Sequence, residues 1–154
     1  MSVTLLSSPL QGFTDFRFRN AFHKHFRGID TFYSPYIRLN GKLEIKASYE
    51  RDILPENNTT LEVIPQIITN DADEFLFVAK YVQSLGYKEL NWNLGCPYPM
   101  VAKCGMGSGL ISNTSQIEHI LKRVHNETDI IVSMKMRMGY ENPTENLDVF
   151  PILE

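Results

Sequence analysis

Residues 63–93 read VIPQIITNDADEFLFVAKYVQSLGYKELNWN, and this stretch decides the fold class. Val63–Ile68 is a near-continuous apolar run, the pattern of a strand buried on both faces of a parallel sheet. Ala72–Leu85 then carries Phe75, Val78, Ala79, Val82 and Leu85 at helical spacing, with Asn70 or Asp71 as cap and Gly86 as stop. Glu89–Asn93 follows as a second, more mixed strand. Strand, helix, strand in close succession predicts a parallel crossover unit.

The same rhythm extends in both directions. Val3–Ser8 and Ile29–Tyr33 are strand candidates upstream, and Ile130–Met136 is a strong one downstream. Asp15–Phe26 sets Phe18, Phe22 and Phe26 on one helical face with Ala21, and Thr14 or Asp15 is its cap. Ser115–Val124 repeats the pattern with Ile117, Ile120, Leu121 and Val124, capped by Asn113 or Thr114. The expected class is therefore α/β with a parallel sheet. Arg38–Thr60 is polar, contains Pro55 and the pair Asn57–Asn58, and reads as a long loop with a short helix over one end of the sheet. Residues 141–154 contain two prolines and no clear element. With no repeat or linker, residues 1–154 read as one domain.

The composition, 43% hydrophobic and 21% charged over 154 residues, is that of a globular chain. A net charge of −3 gives no overall attraction to nucleic acid, so any RNA binding must come from a local basic surface. The two cysteines, Cys96 and Cys104, match neither a CxxC nor a zinc spacing and suggest a reducing compartment. No basic leader precedes the first apolar run, and no stretch approaches the ~18 apolar residues of a membrane span. The expectation is a cytoplasmic protein without a metal.

Chemistry-bearing residues concentrate where strands end. Asn91–Leu110 reads NWNLGCPYPMVAKCGMGSGL, placing Cys96 after a strand and ahead of Gly105, Gly107 and Gly109. Two readings stand for Cys96: a thiol acting as general acid at neutral pH, or a small buried hydrophobe beside a mobile loop. The glycine spacing is not a dinucleotide fingerprint. SMKMRMG, residues 133–139, puts Lys135 and Arg137 on one face of an apolar strand. Either an anionic or electron-rich group faces them, or acidic side chains of a neighbouring strand pair with them. Arg17, Arg19, Lys24 and Arg27, with His23 and His25, form either a phosphate-binding patch or the solvated face of a helix.

Three segments together resemble the tRNA-dihydrouridine synthase family. SPLQGFTDFRFR (residues 8–19) is similar to its N-terminal signature, NLGCPYPMVAKCGMGSGL (residues 93–110) to its cysteine loop, and SMKMRMG to its V-K-x-R-x-G. They occur in the family's order and span roughly Thr4 to Gly139; Ser8 and Leu10 replace the usual Ala and Met. The resemblance implies an FMN-containing TIM barrel that uses NADPH to reduce uridine in tRNA. By position it implies that Pro9, Leu10, Gln66 and Lys135 contact the flavin. Asn93 and Arg137 would hold the uracil, with Tyr36 and Arg38 lining the substrate cleft beside Tyr33. Cys96 would give a proton to C5 as hydride moves from flavin N5 to C6.

A complete barrel has eight strands and typically ~250 residues, whereas five strands are legible in this sequence. The expectation is the first five or so βα units of a TIM barrel, truncated before the FMN-phosphate segments and the family's C-terminal helical RNA-binding region. Such a piece would self-associate or pair with a complementing C-terminal chain. Two other readings fit the residues: a flavin barrel acting on a free pyrimidine, and a non-catalytic RNA-binding or self-associating fragment.

Overall fold

A computed structural model describes residues 3–153; residues 1, 2 and 154 of the span read as one domain lie outside the described residues. Five parallel strands form one sheet in the order β1-β2-β3-β4-β5: Leu6–Ser7, Thr31–Ile37, Glu62–Ile67, Glu89–Leu94 and Ile131–Met136. Each crossover adds its strand next to the previous one. That is the arrangement of the first five βα units of a TIM barrel, and the expected fold class holds.

The crossover helices are α1 (Phe16–His25), α2 (Ala47–Ile53), α3 (Ala72–Ser84) and α5 (Thr114–Glu127), with a four-residue α4 (Pro99–Ala102) between β4 and α5. Their starts follow cap chemistry. The side chains of Asp15, Asp71 and Asn113 each accept a hydrogen bond from a backbone N–H of the first turn.

The core lies between the sheet and these helices. Leu90, Trp92 and Leu94 of β4 pack with Phe75, Val78 and Val82 of α3 and Ile117 and Ile120 of α5, all fully buried. Trp92 meets the ring of Phe75 edge-on at 5.0 Å, and its indole N–H donates to the Thr69 carbonyl at 3.0 Å, so its one polar atom is satisfied.

Two segments differ from expectation. The short helix expected within Arg38–Thr60 is α2, and it serves as the second crossover rather than lying over one end of the sheet. Ile53 is buried in the main core, Glu50 accepts from the Tyr81 hydroxyl of α3, and Tyr87 donates to the Ile53 carbonyl at 2.6 Å. A two-turn helix with only Tyr49 and Ile53 inward shows too little periodicity to fix its bounds from sequence. The last residues form two short 3₁₀ turns, Glu145–Asp148 and Phe150–Ile152, and the intervening Val149 reaches the main core.

Arg19 corrects the reading of the basic segment. It is neither a phosphate ligand nor solvated: its guanidinium is fully buried, pairing with Asp52 at 3.3 Å and donating to Asn58 and to the Thr14 and Asp52 carbonyls. Burial pushes the Asp52 carboxyl above its usual value even though Arg19 pulls the other way. The pair staples α1 to α2. No described helix is long and apolar enough to cross a membrane.

Candidate active site

Side chains alternate across a strand, so the residues between the outward apolar ones face the concave side of the sheet. On β4 these are Asn91 and Asn93; on β5, Ser133 and Lys135; on β3, Gln66. The polar atoms are joined. Asn93 Nδ2 donates to Gln66 Oε1, Gln66 Nε2 to Asn91 Oδ1, and Asn91 Nδ2 to Ser133 Oγ, each at 2.8 Å. A buried amide left unpaired would cost about 1–3 kcal/mol, and here every amide finds partners.

The loop after β4 is built around Cys96. The side-chain oxygen of Asn93 accepts from the backbone N–H of Gly95 at 3.1 Å and of Cys96 at 3.0 Å. On the other side, the Cys96 carbonyl accepts from the Ser108 N–H at 3.1 Å and hydroxyl at 2.9 Å. Gly107 makes this closure possible. Its φ is +57°, and a Cβ there would sit 2.8 Å from the Cys96 carbonyl oxygen. The peptide on each side of Cys96 is therefore held, and its free thiol is half-buried beside Tyr36, Ile68, Val101 and Met106. An apolar wall supports Cys96, and it stays accessible.

The rim is cationic although the chain is acidic overall. Lys135 pairs in register with Asn93 and is half-exposed; Arg137 lies just beyond it and is exposed. Neither forms an ion pair among the described residues, so the expectation of acidic partners on a neighbouring strand is not met. Tyr36 and Arg38 leave β2 on this side, and the Nε of Arg38 is buried with no acceptor among the described residues. The Tyr36 phenol is pushed up by burial and by Cys96, with Arg38 opposing. Deeper on the same face, burial and Glu89 raise the Tyr33 phenol while the Ser133 hydroxyl offsets part of this.

The loop after β1 brings up Pro9 and Leu10, and Leu10 is 60% exposed. Gln11 fastens this loop to β2: it accepts from the Tyr36 N–H at 2.9 Å and donates to the Tyr36 carbonyl at 3.3 Å. With only two residues of β1 in the ladder, this amide clamp sets where Pro9 and Leu10 stand.

The sequence places Cys96, Lys135, Arg137, Tyr36, Arg38, Pro9 and Leu10 at one end of the sheet, and the structure brings them to the same C-terminal mouth. Gln66 and Asn93 differ. Gln66 is fully buried with its oxygen and one N–H engaged, and Asn93 is nearly so. On the concave face their polar atoms join side chain to side chain and hold the cysteine loop's N–H groups. Asn91, Ser133, Ser108 and Gln11 are site residues that sequence reading missed. Strand alternation from Asn93 and Lys135 would have pointed to Asn91 and Ser133; nothing local points to Gln11. Among the described residues, no group of three or more His, Cys, Asp or Glu is placed to hold a metal.

Comparison with known proteins gives a consistent result. Residues 5–153 match the family profile described as dihydrouridine synthase (Dus). The chain is 28% identical over 142 residues to tRNA-dihydrouridine synthase B of Vibrio parahaemolyticus, covering 92% of this chain and 43% of that protein. It is 26% identical over 151 residues to a tRNA-dihydrouridine(16) synthase of Neisseria meningitidis, covering 94% and 45%. A tRNA-dihydrouridine(20/20a) synthase of Haemophilus ducreyi is 29% identical over 120 residues, covering 78% and 36%. The chain thus spans less than half the length of these curated relatives.

Proposed function

Taking as premise that this chain belongs to the dihydrouridine synthase family, we propose that it serves the reduction of uridine to 5,6-dihydrouridine in tRNA. The observation that supports this most directly is Cys96, fixed at both flanking peptides and half-exposed at the strand ends, beside two cations without acidic partners.

The mouth suits a flavin in its donor set. Leu10 offers an apolar ledge, and Lys135, Arg38 and Arg137 supply positive charge that no acidic side chain neutralises among the described residues. Leu10, Lys135 and Arg38 would hold an FMN, which when bound would supply hydride chemistry to the uracil, with NADPH as its reductant. Negative charge then builds on the uracil ring, and Arg137 and Lys135 stabilise it electrostatically. The Cys96 thiol gives its proton to C5, which completes saturation of the C5–C6 bond, and the resulting thiolate regains a proton from solvent. Tyr36 and Arg38 line the cleft, with Tyr36 beside Cys96. Asn93 and Gln66 hold the loop that carries the thiol. A cytoplasmic setting follows from a tRNA substrate. The hydrogen-bonding edges of β1 and β5 suit pairing with a second copy or with a complementing chain.

The test uses unmodified tRNA, FMN and NADPH, with dihydrouridine measured by mass spectrometry. Cys96→Ala is expected to lower turnover by about 10²–10⁴-fold, the range for a general acid, while NADPH oxidation by the bound flavin continues. Equal loss of both half-reactions overturns the proton-donor role. A chain that takes up no FMN and forms no dihydrouridine, alone or mixed with a complementing chain, overturns the reading itself.

A further inference from the structure

We propose that Asn91 and Ser133 are positioning residues for Cys96, acting through a directed hydrogen-bond relay that runs from β5 to the cysteine loop. The relay deepens the function proposed above, since it matters for catalysis only if Cys96 is the reacting group.

Direction in the relay is fixed from one end. The backbone N–H groups of Gly95 and Cys96 can only donate, so the atom of Asn93 facing them must be its oxygen. Asn93 then presents its NH₂ to Gln66, whose facing atom must be Oε1. Gln66 in turn presents Nε2 to Asn91, whose facing atom must be Oδ1. Asn91 is left pointing its NH₂ at Ser133, and the hydroxyl oxygen accepts it. Each amide has one donating and one accepting end, so a change at any member propagates as a mismatch rather than fading.

The placement explains why the relay ends where it does. Gln66, Asn91 and Ser133 lie in one register row across β3, β4 and β5, one inward-facing step below the pair Asn93 and Lys135. The row thus supports from beneath the layer that carries the cation and the thiol loop. Ser133 is suited to the terminus because a hydroxyl can accept from Asn91 and still donate its own proton elsewhere. Alanine at this position would leave the Asn91 NH₂ without an acceptor, and a leucine at 91 would remove both of that residue's links while keeping its volume.

Amide hydrogen exchange, followed residue by residue by NMR on the whole chain, tests this without substrate or cofactor. In Ser133→Ala, protection of the Gly95 and Cys96 N–H groups is expected to fall about tenfold, the scale of one unmet buried hydrogen bond. The Trp92 and Leu94 amides in the β4 ladder should keep their protection. Ser133→Thr, which retains the hydroxyl, should restore the wild-type pattern. Asn91→Leu should lower the same two amides further and gives a second reading should Ser133→Ala fold poorly. Unchanged protection at Gly95 and Cys96 in both variants overturns the relay. A uniform fall along β4 overturns it as well, since that would show only general destabilisation. Because the readout needs neither flavin nor tRNA, it can stand if the dihydrouridine assay fails, and fail if that assay succeeds.

Discussion

Along β4, Leu90, Trp92 and Leu94 face the helices, and Asn91 and Asn93 face the concave side. The two faces, less than one side chain apart in sequence, obey different physics. On the outer face the energy comes from apolar area removed from water, and the residues are interchangeable so long as the volume is filled. On the inner face each group is specified by the hydrogen-bonding partner it must match, and a volume-conserving exchange is not conservative at all. One strand therefore carries the stability of the fold on its even-numbered residues and the geometry of the site on its odd-numbered ones.

Trp92→Ala should break this contrast from the stable side and have the largest effect. Loss of a fully buried indole is expected to cost about 3–5 kcal/mol, read as a lower urea midpoint. Cys96 reactivity should fail only as the whole fold does. Gly107→Ala comes next. It forces a left-handed backbone on a residue with a side chain, at about 1–2 kcal/mol, and drives its Cβ against the Cys96 carbonyl. Alkylation of Cys96, followed by peptide mapping to separate it from Cys104, should change well below the unfolding midpoint.

Lys135→Met and Arg137→Met sharpen the contrast from the other side. Each should shift stability by no more than about 0.5 kcal/mol while sharply weakening FMN uptake, measured by flavin fluorescence quenching. A large stability loss would mean these cations are structural.

The smallest effect concerns a polar clasp in the outer layer. Burial, and the hydrogen bond to Glu50, push the Tyr81 phenol up to about 12. An acid whose folded value lies above its unfolded one stabilises fully below the unfolded value, near 10 for tyrosine. That contribution is lost as pH rises from about 10 toward about 12. The stability difference between wild type and Tyr81→Phe should therefore shrink across this window in urea titrations.

Much of this was legible in the chain. The five strands, the helices α3 and α5 and the caps could be read because burial on one face imposes a period on the sequence; the expected apolar face of α1 is largely exposed, with Phe18 45% and Phe26 62% accessible and Arg19 the buried residue. The cluster of Cys96, Lys135 and Arg137 at strand ends was legible for the same reason: where a strand stops is a local property. A short helix was expected within Arg38–Thr60, but the bounds and crossover role of α2 escaped, since two turns hold too few apolar residues to show a period. Arg19 misled, because a buried cation and a solvated one look alike until Asp52, from the next crossover, arrives beside it.

By itself, then, the sequence determined that five strands alternate with helices and which family's motifs it bears, while β2 runs to Ile37, past the Tyr33 at which it was expected to end. Tertiary structure alone decided what each side chain meets across strands: Gln66 with Asn93, Asn91 with Ser133, Gln11 across to the Tyr36 backbone. Periodicity is written within a segment of chain. A hydrogen bond between side chains of different strands depends on register, and register exists only once the sheet has formed.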